Sequence, residues 1–122
     1  MSDELSFGDY LKAKRESHGK TLRGFAAELD IAPAYLSDIE KGNRNPPEKH
    51  LEKIIQLLGI TGDELNRFYD LVGEERKGVS PDLSDYIYKT EIARVALRRA
   101  RDNNITEGQW QKFIDTIDKN KR

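Results

Sequence analysis

The chain has 122 residues, of which 36% are hydrophobic and 35% charged, with 21 Lys plus Arg against 22 Asp plus Glu for a formal net charge of -1. This length suits one domain with an appendage rather than two large domains, and the near-neutral balance gives no whole-chain attraction to a polyanion, so any nucleic-acid contact has to come from local placement of charge. With no cysteine, disulfide frameworks, thiolate metal sites and cysteine nucleophiles are excluded; no apolar run approaches the roughly 20 residues of a bilayer span, and the Met1-Ser2-Asp3-Glu4 start lacks the basic and apolar regions of a secretion signal, so a cytoplasmic protein is expected.

Phe7, Leu11 and the stem of Arg15, with Tyr10 beside them, predict a first helix ending at Gly19. Thr21 is placed to cap a second helix, whose apolar positions Leu22, Phe25, Ala26 and Leu29 follow the i, i+3, i+4, i+7 spacing. Asp30 and Ile31 break that register. Pro33 then suits the first turn of a third helix that carries Leu36 and Ile39 inward and stops at Gly42.

Asn43-Arg44-Asn45-Pro46-Pro47 is loop chemistry. Beyond it Leu51, Ile54, Ile55 and Leu58 mark a fourth helix ended by Gly59. Thr61 followed by Glu64 reads as a capping box for a fifth helix with Leu65, Phe68, Tyr69 and Val72 on one side and Gly73 at its end. Residues 1–73 thus form the first domain, and the charged, glycine-ended stretch 74–81 reads as a linker. In the extension 82–122, Leu83, Tyr86 and Ile87 suggest a short turn and Glu91 to Arg101 a sixth helix. Thr106 with Gln109 makes a capping box for a seventh helix carrying Trp110, Phe113, Ile114 and Ile117.

Two helices of about eight residues joined by a very short turn cannot lie antiparallel, so the second projects from the body. Such packing asks for apolar side chains at Phe25, Leu29, Ile31, Leu36 and Ile39, with a small residue at Ala26 where the helices cross. The segments Ala26-Ala27-Glu28-Leu29-Asp30-Ile31, Tyr35-Leu36-Ser37-Asp38-Ile39-Glu40-Lys41-Gly42 and Asn43-Arg44-Asn45-Pro46, with Arg15 ahead of them, resemble the lambda-repressor and Cro-like (XRE-type) helix-turn-helix regulators over roughly Phe7 to Leu58. The resemblance implies an all-α fold: a four- or five-helix DNA-binding bundle with a small helical C-terminal extension. It also implies an ion pair between Arg15 and Glu40, with Lys14 facing water. Two positions depart from the family: Leu22 stands where a glutamine often contacts a phosphate, and Asp30 stands where the turn usually has glycine, although an aspartate tolerates a left-handed backbone.

In this reading Ala32, Pro33, Ala34, Ser37, Asp38 and Lys41 form the outer face of the third helix and meet the bases. Ala32-Pro33-Ala34 offers apolar contact to thymine methyls, Ser37 polar readout, and Asp38 an acceptor for a cytosine amine. Lys20, Thr21, Arg23, Tyr35, Asn43 and Arg44 flank that face as candidates for phosphate contacts, which position the protein without specifying sequence. Exposed Ser, Asp and Lys on a short helix ordinarily make only a solvated face. It is the surrounding pattern that assigns them to DNA.

His18 and His50 have no neighbours at metal-ligand spacing, and no phosphate loop, nucleophile elbow or paired carboxylates occur, so neither an enzyme, a metal nor another cofactor is expected. Arg94, Arg98 and Arg101, beside Arg99, read as a solvated face. The expected function is sequence-specific regulation of transcription, repression at a palindromic operator by a homodimer whose extension contributes to assembly. The alternative is an antitoxin or adaptor whose C-terminal helices bind a partner protein while the first domain regulates its own operon.

Overall fold

The computed structural model describes residues 5–121, and among them every regular element is helical: α1 (Phe7–Ser17), α2 (Leu22–Leu29), α3 (Pro33–Glu40), α4 (Leu51–Leu58), α5 (Asp63–Glu75), α6 (Pro81–Lys89), α7 (Glu91–Asp102) and α8 (Glu107–Lys119), with one 3-10 turn at Glu48–His50. The chain divides into two units, one ending at Ser84 and the other beginning at Asp85.

The first unit owes its helix boundaries to local chemistry. Ser6 caps α1 by accepting from the Asp9 N–H, and Thr21 caps α2 by accepting from the Gly24 N–H. Asp30 ends α2 in the left-handed conformation, φ 59 and ψ 44, the geometry a short side chain tolerates where glycine is usual. Pro33 begins α3, where its missing N–H costs no helical bond. These helices bury one core: Phe7 and Leu11 from α1, Phe25 and Ala26 from α2, Leu36 from α3, Ile54 and Leu58 from α4, and Phe68 and Val72 from α5. Phe68 sits at its aromatic centre, edge-on to Phe7 at 5.4 Å and to Tyr69 at 5.5 Å between ring centroids, which adds orientation to the roughly 1.5–3 kcal/mol of its burial.

Gly8 lets α1 approach the end of α3. A Cβ there would lie 2.3 Å from the Glu40 carbonyl oxygen and 2.7 Å from that of Ile39, so the contact of the two helices requires a residue without a side chain.

Three elements differ from the sequence expectation. The capping box at Thr61 and Glu64 does not form: Gly62 is the N-cap of α5 without a side-chain cap, and Glu64 turns to α1, accepting from the Tyr10 hydroxyl at 2.6 Å and pairing with Lys14 at 2.8 Å. Lys14 therefore does not face open water. The α5 helix also continues past Gly73 to Glu75. Gly73 is a packing position there, its missing Cβ making room for the Ser80 backbone at 3.0 Å, while the Ser80 hydroxyl donates to Asp70 at 2.7 Å. Finally, Leu83, Tyr86 and Ile87 lie in the nine-residue α6 rather than in a turn. Pro81 presets its first turn, and the Ser80 carbonyl accepts from the N–H groups of Leu83 and Ser84.

The second unit has the Thr106–Gln109 capping box with both bonds formed and an Arg94 whose guanidinium donates to the carbonyls of Ile87 and Tyr88 at the end of α6. Arg94 thus caps a helix instead of joining an arginine stripe. No residue of α6, α7 or α8 is buried; Trp110, Phe113, Ile114 and Ile117 are 38%, 55%, 47% and 50% exposed. Among the described residues no helix is long and apolar enough to cross a membrane.

Candidate nucleic-acid interface

Helix α3 has a buried side and an open side. Leu36, Ile39 and Glu40 face the core, whereas Ala32, Pro33, Ala34 and Lys41 are exposed and Ser37, Asp38 and Tyr35 half-buried. The entry Ala32-Pro33-Ala34 is flush and apolar, and no side chain caps this N-terminus. Ile31 is half-buried against the core and Ala26 fully buried, so the α2–α3 crossing is close enough to hold α3 outward at a fixed angle.

The far end of α3 is fixed from beneath by Arg15. Its Nε donates to Glu40 Oε2 at 2.7 Å and its Nη2 to Glu40 Oε1 at 3.1 Å, both side chains being buried. The third guanidinium nitrogen, Nη1, donates to the Lys20 carbonyl at 2.9 Å. One side chain thus ties α1, the start of α2 and the end of α3. The bidentate Glu40 contact raises the Arg15 pKa above its already high ordinary value, against the opposing effect of burial, so the guanidinium stays charged at every pH the fold survives.

The flanking residues are distributed around this face. Thr21 uses an oxygen lone pair to cap α2, which leaves its hydroxyl hydrogen to donate. Lys20 pairs with Glu28 at 2.9 Å, an exposed contact weak enough to be exchanged for a phosphate. Arg23 and Asn43 are exposed. The Arg44 guanidinium lies 4.7 Å above the Tyr35 ring centroid, so these two act as a stacked pair in which the ring limits where the cation points. Leu22 packs against the core and presents no polar group.

Within residues 20–45 there are four cations (Lys20, Arg23, Lys41, Arg44) and four anions (Glu28, Asp30, Asp38, Glu40). Glu40 is neutralised internally by Arg15 and Glu28 by Lys20. Arg23, Lys41 and Arg44 are left on and beside the open face of α3, against Asp30 and Asp38. The local field is therefore weakly positive in a chain whose total is negative.

Sequence reasoning missed three features. Gly8 carried a signal only in hindsight, since a glycine in the first turn of a helix is unremarkable in sequence unless another backbone approaches it closely. The partner of Glu64 lies 54 residues away and left no local trace. The same holds for Arg76, whose Nη2 donates to the Pro46 carbonyl at 2.5 Å and whose Nη1 lies 3.5 Å from Glu48.

Comparison with known proteins matches residues 11–65 to a family described as Helix-turn-helix, a span that contains all of α2, α3 and α4 and every candidate contact from Lys20 to Arg44. The control protein C.MunI of Mycoplasma sp is 42% identical over 67 residues, covering 53% of this chain and 90% of that protein. The control protein C.BamHI of Bacillus amyloliquefaciens is 34% identical over 74 residues, covering 60% and 91%. The HTH-type transcriptional regulator DdrOP3 of Deinococcus deserti is 32% identical over 78 residues, which is 63% of this chain but only 60% of that longer relative. With α3 held outward on a packed bundle and relatives matched over nearly their whole length, this chain belongs to the helix-turn-helix family of DNA-binding transcription regulators.

Proposed function

We propose that the chain is a cytoplasmic repressor that occupies a palindromic operator as a homodimer, with α3 in the major groove. The observation that carries this reading is the open face of α3: an apolar, uncapped entry at Ala32-Pro33-Ala34, with Ser37, Asp38 and Lys41 along it and Lys20, Thr21, Arg23, Tyr35, Asn43 and Arg44 around it. An apolar entry favours thymine methyls, and a single eight-residue helix reaches few base pairs. Useful discrimination then comes from two half-sites about 34–36 Å apart related by the protein's own two-fold. The exposed Trp110, Phe113, Ile114 and Ile117 support a role for the extension in assembly, because an apolar stripe of this kind gains from being covered.

The same stripe also supports the other reading, an antitoxin or adaptor whose C-terminal helices hold a different protein. Solution mass separates them. Light scattering of the purified chain and of the chain without its extension gives a dimer that is lost with the extension in the first case and a mass state indifferent to the extension in the second. Binding-site selection from random duplexes, followed by affinity against ionic strength, tests the DNA contact. With Lys20, Arg23 and Arg44 as phosphate contacts, log K falls with log salt at a slope of about -2.7 per bound chain; a flat dependence, or no selected duplex, refutes the interface.

A further inference from the structure

The loop after α3 carries Asn43 and Arg44, yet it has little means of fixing itself. Gly42 turns it at φ +80, and the Asn43 N–H still donates to the Asp38 carbonyl at 2.9 Å. Beyond that point come Pro46 and Pro47, two consecutive residues with no N–H, so the backbone there has no donors with which to close a turn. The loop is held from outside. Pro46 is fully buried, its carbonyl accepts from Arg76 Nη2, and Glu48, at the start of the 3-10 turn, faces Arg76 Nη1. Arg76 is the C-cap of α5, and its guanidinium spans both sides of the Pro46–Glu48 segment as a planar fork.

We propose that Arg76 is a positioning residue for DNA binding: by gripping the Pro46 carbonyl and Glu48 it fixes the far end of the loop, while Tyr35 fixes the near side, and together they hold the Arg44 guanidinium where a phosphate meets it. The proposal rests on the reading of the Arg44 loop as a phosphate contact. Arg76 itself does not make that contact, because both of its terminal nitrogens are directed at the loop. Pre-orientation matters because a long cation ordered only on binding loses rotamer freedom at that step, and a pre-placed one does not.

The test is a double-mutant cycle on the full chain with the selected duplex. Arg44→Ala removes one phosphate contact, which at about 0.1 M salt lowers affinity about 8-fold and the salt slope by about 0.9 per bound chain. Arg76→Ala lowers affinity by a comparable factor and flattens the slope in the same direction, and the double variant binds no more weakly than Arg44→Ala alone. Arg76→Lys keeps the charge but has no fork to span Pro46 and Glu48, so it recovers less than half of the logarithmic loss; it also carries the cycle if the alanine variant melts below the assay temperature. Losses that multiply in the double variant, full recovery by lysine, or an Arg76→Ala protein with unchanged affinity and slope each overturn the positioning role. If Arg44→Ala binds as tightly as the parent, the loop is no phosphate contact and both readings fall; if Arg44→Ala weakens binding and Arg76→Ala does not, only the positioning fails.

Discussion

Arg15 makes three hydrogen bonds inside the first unit while Lys12, one helical turn away on the same helix, is exposed. Arg15→Ala strands the Glu40 carboxylate in a buried site and is expected to cost about 3–5 kcal/mol, whereas Lys12→Ala stays within about 0.5 kcal/mol; denaturant midpoints of the two variants measure the difference, and coincident midpoints would remove the ion pair from the account of stability. Glu64 gives a pH-dependent counterpart. Hydrogen bonds from Lys14 and Tyr10 hold its carboxyl below the ordinary value of 4.5, against desolvation. A depressed folded pKa contributes stability that is present above the unfolded value and lost as pH falls through the folded one. Glu64→Gln should therefore melt lower than the parent at neutral pH, and the gap should close as pH falls through the carboxylate range. A gap that persists at pH 2–3 assigns the loss to packing.

At the level of helices, the contact of α1 with α3 is closer than any side chain allows at Gly8, and it fixes the separation of α1 from the end of the helix proposed to enter the major groove. Gly8→Ala gains helix propensity, which for an exposed site in a first turn would stabilise by less than the roughly 1 kcal/mol of a helix interior. Here the new methyl meets backbone carbonyls rather than a yielding side chain, so a net loss of about 1–3 kcal/mol is expected, together with weaker DNA binding as α3 is displaced. Thermal melting and affinity on one preparation check both. A stabilised variant with unaltered affinity would show the helices free to separate. The helices themselves were largely legible, because their caps and apolar spacing are local: Thr21, Pro33 and Thr106 mark their ends as expected. What stayed hidden was set by distant partners. Glu64 has the residue type and spacing of a capping box, but Tyr10 and Lys14 offered it stronger contacts, and Gly73 looked like a terminus because close packing on Ser80 and left-handed turns both call for glycine. At the interface, the residue types around α3 were visible in the sequence, while the Tyr35–Arg44 stack and the Arg76 grip needed three dimensions.

For the whole molecule, the division at Ser84 suggests where to cut. Ser80 is buried and bonded to Asp70, so a chain ending at Gly78 loses part of the first unit's own packing, whereas one ending at Ser84 keeps it. The chain cut after Ser84 should retain cooperative melting and the ability to recognise a half-site, and should lose dimer mass and affinity for the full palindrome. Retention of both would place assembly in the first unit.

The absence of any buried side chain in α7 and α8 has a further consequence. Helices of 12 and 13 residues are marginal alone in water, and a cap such as Thr106 adds only about 1 kcal/mol. Their backbone amides should then exchange with deuterated solvent far faster than those of α4 and α5. If a second copy covers the stripe, that protection is a mass-action quantity and rises with protein concentration, while the core of the first unit exchanges at the same rate whether dilute or concentrated. The order of the last two helices would in this way record how many copies of the chain are present.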